Sequence, residues 1–442
     1  MGKKILVFIV LLSAVHLLHA QGKPDRTMLD QETYQLYQEK NWKKLIVRGE
    51  YALEQGYDFY YLRMRLGLAW FSLGRFEKAR TQFLIALKSI PHDRTASYYL
   101  YYANLYSGRS GEARKLLKLL PMEQIGNIKA PGKFSLSGIS AEGGVFINNS
   151  VEDLKNGLPS GDKSNSYFTD NMNYINFTGG VNLGYSSGIV LSANRFSSNN
   201  LQYTYSRGNL MEFPQTSSQN GLYMKYLYNF PRSWYGGIAY HGIKGSYSYT
   251  ELQTNQGGII QFKTGMVDYQ QKYAGGFIGK HFKYFDSRAQ FSLNEFWHGP
   301  YLQTGGSLYY YPTGSIDYYL HAGYDRMFAL DSVGNAEWAW KFAAGLKLYK
   351  GFYLIGSHVR GNLSNWADAN GYYLFNTVYP IRSRSGVGFL ISGFSSHLQI
   401  NITGYFQNRD HYAEISQPDG STSYIFQNYS TTSIFGGISW SF

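Results

Sequence analysis

Residues 433–442, at the carboxyl end of the chain, read SIFGGISWSF. Ile434, Ile438, Trp440 and Phe442 share one face of an extended strand, because successive side chains of a strand point to opposite sides. Ser433, Ser439 and Ser441 lie on the other face. A strand that is apolar on one side and ends on an aromatic residue is typical of the last strand of outer-membrane β-barrels. We therefore predict that Ile438, Trp440 and Phe442 form the signal that the barrel assembly machinery recognises.

The same alternation extends back through the chain to about residue 131. It is clearest in segments 174–185, 316–325, 338–348 and 398–407, each of ten residues or more. Strands of soluble sheets are usually about 5–6 residues long, whereas a tilted strand needs about 9–11 residues to cross a bilayer. An open sheet edge in lipid leaves backbone groups without hydrogen bonds, so such strands must close into a barrel. Residues 131–442 are therefore predicted to form an antiparallel transmembrane β-barrel.

Turns that alternate between short and long support this prediction. The short turns are predicted at 186–188, 229–232, 284–287, 311–314, 350–351 and 393–396, with a further break at 298–300. The longer polar loops are predicted near 148–170, 206–220, 250–262, 330–336, 361–371 and 410–423. Pairing strands around these turns predicts about 14 strands, with 12 or 16 also open because bacterial barrels use even numbers.

The composition fits a barrel and excludes several other classes of protein. Aromatic residues make up 18% of the chain, including 42 Tyr, whereas charged residues make up only 16%. The mean hydropathy of −0.33 argues against a helical membrane protein. The chain has no cysteine, which excludes disulfides, thiolate metal sites and a lipidated cysteine anchor. The net charge is +12, but no nucleic-acid recognition motif accompanies it, so we expect no nucleic-acid partner.

The first twenty residues are predicted to be a cleaved signal peptide. Lys3 and Lys4 are followed by an apolar stretch from Ile5 to Leu18, and Ala20 precedes a plausible cleavage point. The apolar stretch is shorter than the roughly 20 residues of a spanning helix. The mature chain is therefore expected to reach the outer membrane of a Gram-negative bacterium.

Residues 26–125 are predicted to form periplasmic helical repeats. The clearest unit carries Leu66, Gly67, Trp70, Gly74, Ala79, Phe83, Ala86 and Pro91 at the spacing of a tetratricopeptide repeat. One period of about 34 residues later, Gly108, Ala113 and Leu117 occupy equivalent positions, and a weaker match lies earlier around Trp42. Repeat solenoids present concave surfaces to partners. We expect this domain to bind an unidentified periplasmic protein or polymer, while the barrel contacts outer-membrane lipid.

The order of signal peptide, tetratricopeptide repeats and C-terminal barrel resembles the YaiO-like outer-membrane barrel proteins that are common in Bacteroidetes. This resemblance implies the architecture and does not imply a specific activity. The same order of parts occurs in larger exopolysaccharide export porins, whose repeat arrays are longer.

The barrel segments carry polar residues but no catalytic signature. Asp317, His321 and Asp325 share a face, yet consecutive members lie about 13 Å apart along a strand, beyond the reach of acid–base catalysis. No phosphate-binding loop, zinc motif or nucleophile elbow occurs, so no cofactor or metal is expected. The residues predicted to line the lumen are Asn182, Asp317, Tyr319, His321, Lys341, Lys347 and Gln399.

The sequence thus favours a non-enzymatic barrel coupled to a periplasmic scaffold, which assists export or assembly of a cell-surface polymer or protein. Two alternatives stay open. One is a general porin or uptake channel, for which the repeats would be superfluous. The other is an outer-membrane enzyme that acts on lipid or peptidoglycan.

Overall fold

The computed structural model describes residues 25–442 apart from 121–122, 124–131, 158–162, 207–208, 255–259, 297–298, 332–335, 378, 393–396 and 417–420. The chain divides into two compact units, Met1–Gln124 and Ile125–Phe442. The predicted signal peptide, residues 1–20, lies outside the described residues, as does Pro131 at the predicted joint. The structure has the predicted fold class, an α-helical repeat unit and an antiparallel β-barrel.

In its described residues, the helical unit forms three successive helical hairpins. Its helices are α1 (Arg26–Gln38), α2 (Trp42–Glu54), α3 (Tyr60–Ser72), α4 (Phe76–Ser89), α5 (Arg94–Tyr106) and α6 (Ser110–Leu116). Within the part of the chain that the structure describes, no helix is both long and apolar enough to cross a bilayer.

The 34-residue period is visible in the backbone where the first helix of each hairpin ends. Lys40, Gly74 and Gly108 all have a positive φ, of 55°, 70° and 82°, in the left-handed region that closes a helix. Glycine adopts this conformation without strain. Lys40, in the weakest of the three repeats, adopts it at a cost in backbone strain. The repeat is therefore a repeat of geometry as well as of sequence.

Small residues let the two helices of the central hairpin cross closely. A Cβ atom added to Gly67 would lie 2.5 Å from Cε1 of the Phe83 ring. Phe83, Ala79 and Ala86 are fully buried and pack against Ala96 and other residues of the following helix. One hairpin thus supplies the surface that the next one needs in order to bury its own apolar face.

The second unit is a closed barrel of 14 antiparallel strands, so the predicted number is confirmed. The wall strands are β1 (Phe134–Asn148), β2 (Lys163–Leu183), β3 (Ser187–Ser206), β4 (Asn209–Asn229), β5 (Trp234–Thr254), β6 (Ile260–His281), β7 (Phe285–Phe296), β8 (Gly299–Tyr310), β9 (Tyr318–Ala329), β10 (Glu337–Tyr349), β11 (Phe352–Gly361), β14 (Ile381–Ile391), β15 (Leu398–Ser416) and β16 (Thr422–Ser441). Two short strands, β12 (Asn365–Asp368) and β13 (Tyr373–Asn376), form a separate sheet, and a short helix α7 (Val151–Asn156) follows β1.

The barrel has a turn end, where β1 begins and β16 finishes, and an opposite loop end. Five of the six predicted short turns lie at the turn end, between consecutive wall strands, and the sixth, at 393–396, lies outside the described residues. The predicted long loops at 206–220 and 250–262 are wrong in large part, since β3, β4, β5 and β6 continue through most of these residues. These polar stretches also alternate and continue to pair with their neighbours, so polarity alone does not end a strand.

The outward face of the wall is apolar along most strands. Leu222, Ile238 and Phe291 are each more than 60% exposed. Ile438, Trp440 and Phe442 are also exposed, and β16 pairs along its length with β1 and β15. The terminal segment is therefore the strand at which the ring closes.

Candidate functional site: a lumen crossed by a hairpin

The connection from β11 to β14 folds into the barrel. Its strands β12 and β13 pair with each other, with Asn365 opposite Asn376 and Asp368 opposite Tyr373. The turn between them passes through Ala369, Asn370 and Gly371, all with positive φ. We call residues 365–376 the plug hairpin. The sequence predicted a long polar loop near 361–371, whereas the structure forms β12 within this segment and folds it into the lumen.

The base of the plug hairpin is anchored on one wall of the barrel. Trp366 is fully buried, and its indole N–H donates to Asp325 Oδ2 at 2.9 Å. Lys341 Nζ lies 2.8 Å from the same carboxylate and 3.7 Å from Asp368 of the hairpin. The Gln303 side chain forms two hydrogen bonds with the backbone of Ala367. Its Nε2 donates to the Ala367 carbonyl at 2.8 Å, and its Oε1 accepts from the Ala367 N–H at 3.0 Å.

The tip of the plug hairpin reaches the opposite wall. The Tyr223 hydroxyl donates to the Asn370 carbonyl at 3.3 Å, and His241 Nδ1 lies 2.8 Å from the Gly371 carbonyl. A carbonyl only accepts, so His241 carries its proton on Nδ1. These two residues lie on β4 and β5, and seven strands separate the β4–β5 junction from the β11–β14 junction in each direction around the ring. The hairpin therefore spans the full width of the lumen.

Beside the plug hairpin there is a chamber of about 730 Å³. Wall strands β1 to β6 and β14 to β16 line it on one side, and residues 372–375, 377 and 379 line it on the other. Aromatic and amide side chains dominate the lining. Its tyrosines are Tyr167, Tyr174, Tyr247, Tyr249, Tyr269, Tyr372, Tyr373, Tyr379, Tyr405 and Tyr429, and its amides include Asn165, Asn194, Asn200, Gln202, Gln219, Gln271, Asn401 and Gln407.

The chamber lining contains two arginines and two glutamates, so its formal charges balance. The Arg384 guanidinium lies 3.6 Å from the centre of the Tyr405 ring and 5.2 Å from that of Phe375 in the plug hairpin. Its Nε is buried and has no hydrogen-bond partner among the described residues. Arg409 lies over Phe146 at 4.8 Å. A buried donor without a partner costs free energy, so the Arg384 Nε is suited to a polar ligand group.

The predicted lumen residues occupy separate positions and do not form one site. Asp317 pairs with Lys347 at 3.2 Å, His321 stacks on the Tyr309 ring at 4.2 Å, and Asp325 holds Lys341. The other three predicted lumen residues lie near the turn end of the barrel. Asn182 donates to Ser135 at 3.0 Å, Tyr319 packs against Gly345, and Gln399 is exposed opposite Ser439.

A serine–histidine pair lies elsewhere in the lumen. Ser166 Oγ and His411 Nε2 are 2.7 Å apart on β2 and β15, and both residues are buried. The other ring nitrogen of His411 has no hydrogen-bond partner within the described ranges. Since a catalytic histidine is normally oriented by a third group, this pair lacks part of a hydrolase site. The described residues also contain no group of His, Asp or Glu that could hold a metal ion.

Sequence reasoning missed the plug hairpin and with it Trp366, Tyr372 and Arg384. The available signal was the aromatic content of the segment: a surface loop seldom contains a tryptophan followed by Tyr372, Tyr373 and Phe375. Aromatic residues around an Ala-Asn-Gly turn are typical of a hairpin with a surface to bury.

No family model matches the chain, and no curated protein matches it. Among solved structures, the barrel is similar to the Pseudomonas putida toluene transporter TodX, with 10% identity over 71% of this chain and 91% of that chain and a TM-score of 0.44. A Pseudomonas aeruginosa FadL homologue gives 8% identity, 69% and 90% coverage, and a TM-score of 0.43. MamA of strain AMB-1 gives 23% identity over 23% of this chain and 55% of that chain, with a TM-score of 0.21. TM-scores this low assign no function, and the architecture rests on the strands and their pairing.

Proposed function

We propose that this chain is a gated outer-membrane channel for a carbohydrate polymer, with a periplasmic repeat domain that recruits the export or assembly partner. The plug hairpin is the observation that carries the proposal. It crosses the lumen and contacts the β4–β5 wall largely through backbone carbonyls of its tip.

The chamber chemistry supports a carbohydrate. A sugar ring has an apolar face that stacks on tyrosine and a rim of hydroxyls that need hydrogen-bond partners, and the lining supplies both kinds of group. A volume of about 730 Å³ accommodates a short segment of a chain. The unpartnered Arg384 Nε offers a donor to a hydroxyl or an acidic substituent.

The repeat unit supports export or assembly over simple uptake. Three hairpins are about the minimum that stacks into a stable solenoid, and such solenoids bind partner segments. The order of parts is also that of the YaiO-like barrels of Bacteroidetes, which we propose as the type of this chain. A signal peptide at 1–20 and a periplasmic location of 26–125 belong to the same proposal.

Two experiments test the proposal. The first measures binding of six-sugar oligomers of glucose, N-acetylglucosamine or glucuronic acid to the purified protein by calorimetry. Arg384→Ala should weaken binding by about tenfold, the typical worth of a hydrogen bond to a charged group. Arg326→Ala, on the outward face, is the matched control. Absence of binding by every oligomer would count against a carbohydrate.

The second experiment expresses the barrel, residues 131–442, without the repeats in a deletion strain. If the repeats recruit an export partner, the barrel should insert and the surface phenotype should be lost. An inserted barrel with full function would make the repeats dispensable, and the general channel would become the better explanation. Hydrolysis of lipid or peptidoglycan by the purified protein would favour the enzymatic alternative.

A further inference from the structure

The outward face of the barrel contains a polar notch where the apolar band is interrupted. On β11, the inward-facing Val359 packs beside the plug hairpin, so the alternating neighbours His358 and Arg360 point outward. On β14, Arg384 lines the chamber, so Ser383 and Ser385 point outward. His358 and Arg360 are exposed, as is Ser385.

These residues are already joined by contacts. His358 Nδ1 lies 2.9 Å from Ser385 Oγ, and Asn408 Nδ2 on β15 donates to Ser383 Oγ at 3.2 Å. Strand pairing places Arg360 directly opposite Ser383 and His358 directly opposite Ser385. The notch therefore presents a guanidinium, an imidazole, an amide and two hydroxyls within two neighbouring rows of the sheet.

Apolar residues bracket the notch on both sides. His358 pairs with Phe342 on β10, and Ser385 pairs with Phe406 on β15. These phenylalanines are 49% and 48% exposed. One row of four strands thus reads Phe, His, Ser, Phe on the surface that faces lipid. In the next row, Arg360 pairs with the outward Trp340, so the arginine lies beside the apolar band of its own hairpin.

The described residues supply no ion-pair partner for the charge in the notch. None of the ion pairs formed by the described residues includes Arg360. Arg360 lies next to the loop end of β11, toward the interface, where an anionic lipid head group can pair with it. The other groups of the notch can all donate hydrogen bonds, as a phosphate with several acceptor oxygens requires.

We propose that this notch binds the phosphate group of a membrane lipid. Arg360 pairs with the phosphate oxygens, Ser383 supplies a neutral donor, and the hydrogen-bonded pair of His358 and Ser385 supplies one more. The acyl chains lie against Phe342 and Phe406, which is why the site selects a lipid over a free anion. The notch lies on the outside of the wall, so this site is separate from the chamber and does not depend on the channel function.

The test uses the full-length protein in detergent and counts retained lipids by native mass spectrometry. The probes are dioleoyl phosphatidic acid and dioleoylglycerol, which have the same chains and differ in the phosphate. We expect the phosphatidic acid to be retained about tenfold better, and Arg360→Ala to remove the difference. Arg326→Ala is the matched control, because Arg326 is also exposed, outward and close to the loop end.

Two further arms separate the proposal from its alternatives. His358→Gln and Ser385→Ala should each reduce retention several-fold while heat-modifiable migration stays normal, which shows that the barrel has folded. An excess of inorganic phosphate should not displace the lipid. Four results would each overturn the proposal. These are equal retention of both lipids, equal effects of Arg360→Ala and Arg326→Ala, displacement by inorganic phosphate, and release of fatty acid that Ser385→Ala abolishes.

Discussion

Replacing Trp366 is the most direct perturbation of the plug hairpin. The Trp366 side chain is fully buried against Met327, Ala339 and Ile381, and its indole N–H donates to the fully buried Asp325. Trp366→Phe keeps most of the ring packing and removes the donor. The loss of a hydrogen bond to a charged group is worth about 1.5–3 kcal/mol. Trp366→Ala removes the ring as well, for about 3–5 kcal/mol.

These energies convert into a graded opening of the channel. If the hairpin is the gate, each 1.4 kcal/mol lost from the docked state raises the ratio of open to closed channels about tenfold. Trp366→Phe should raise that ratio by about ten- to a hundredfold, and Trp366→Ala should raise it further, because the destabilised state is the closed one. Asp325 keeps Lys341 as a partner at 2.8 Å, so the wall itself should stay intact.

Single-channel recording in planar bilayers measures the ratio directly. The matched control is Trp340→Phe, because Trp340 lies on the outward face and is 47% exposed. The open fraction should increase from wild type to Trp366→Phe and again to Trp366→Ala, and the control should have the wild-type open fraction. Identical traces from all four proteins would refute the hairpin as the gate, and opening caused equally by the control would indicate general loosening of the barrel.

Three more predictions concern the helical unit and assembly. Burial raises the pKa of the Glu77 carboxyl, although Arg109 and Arg80 oppose this shift. The folded state therefore holds the Glu77 proton more tightly than the unfolded state does. The free energy of unfolding of a 22–125 fragment should then fall as pH rises from the usual carboxyl pKa to the raised one. Thermal melts should show this pH dependence in the wild type and lose it in Glu77→Gln. Gly67→Ala would press a methyl group into Phe83 and should cost about 1–3 kcal/mol in urea unfolding, whereas a wild-type midpoint would contradict the close helix crossing. Phe442→Ser should reduce heat-modifiable barrel while Tyr349→Ser, which changes an exposed aromatic residue at the same end, should not; equal yields would refute the recognition strand.

The sequence predicted the parts of the fold that depend on local periodicity. Alternation indicated wall strands, because a strand that faces lipid on one side and the lumen on the other must alternate, and the turns between them predicted about 14. The helical repeat was equally accessible, since Gly74 and Gly108 mark the same left-handed position one period apart. Both signals act within a few dozen residues and need no knowledge of distant partners.

The lumen could not be predicted in this way, because its contacts join residues that are far apart in sequence. Alternation places Asp317, His321 and Asp325 on one face but does not say that Lys347, Tyr309 and Lys341 are their respective partners. The indole of Trp366 reaches Asp325 across 41 positions of sequence.

The attachments at the base and at the tip of the plug hairpin differ in strength, and this difference determines where a path would first form. At the base, Trp366 is buried and Asp368 belongs to a charged group with Lys341. At the tip, the carbonyls of Asn370 and Gly371 accept neutral hydrogen bonds, each worth about 0.5–1.5 kcal/mol. The tip should therefore release before the base, so a path would begin along β4 and β5 and would open fully once Trp366 also leaves its site. His241 lines the chamber on that wall, so the opened path would lead directly past the tyrosines and amides that suit a sugar chain.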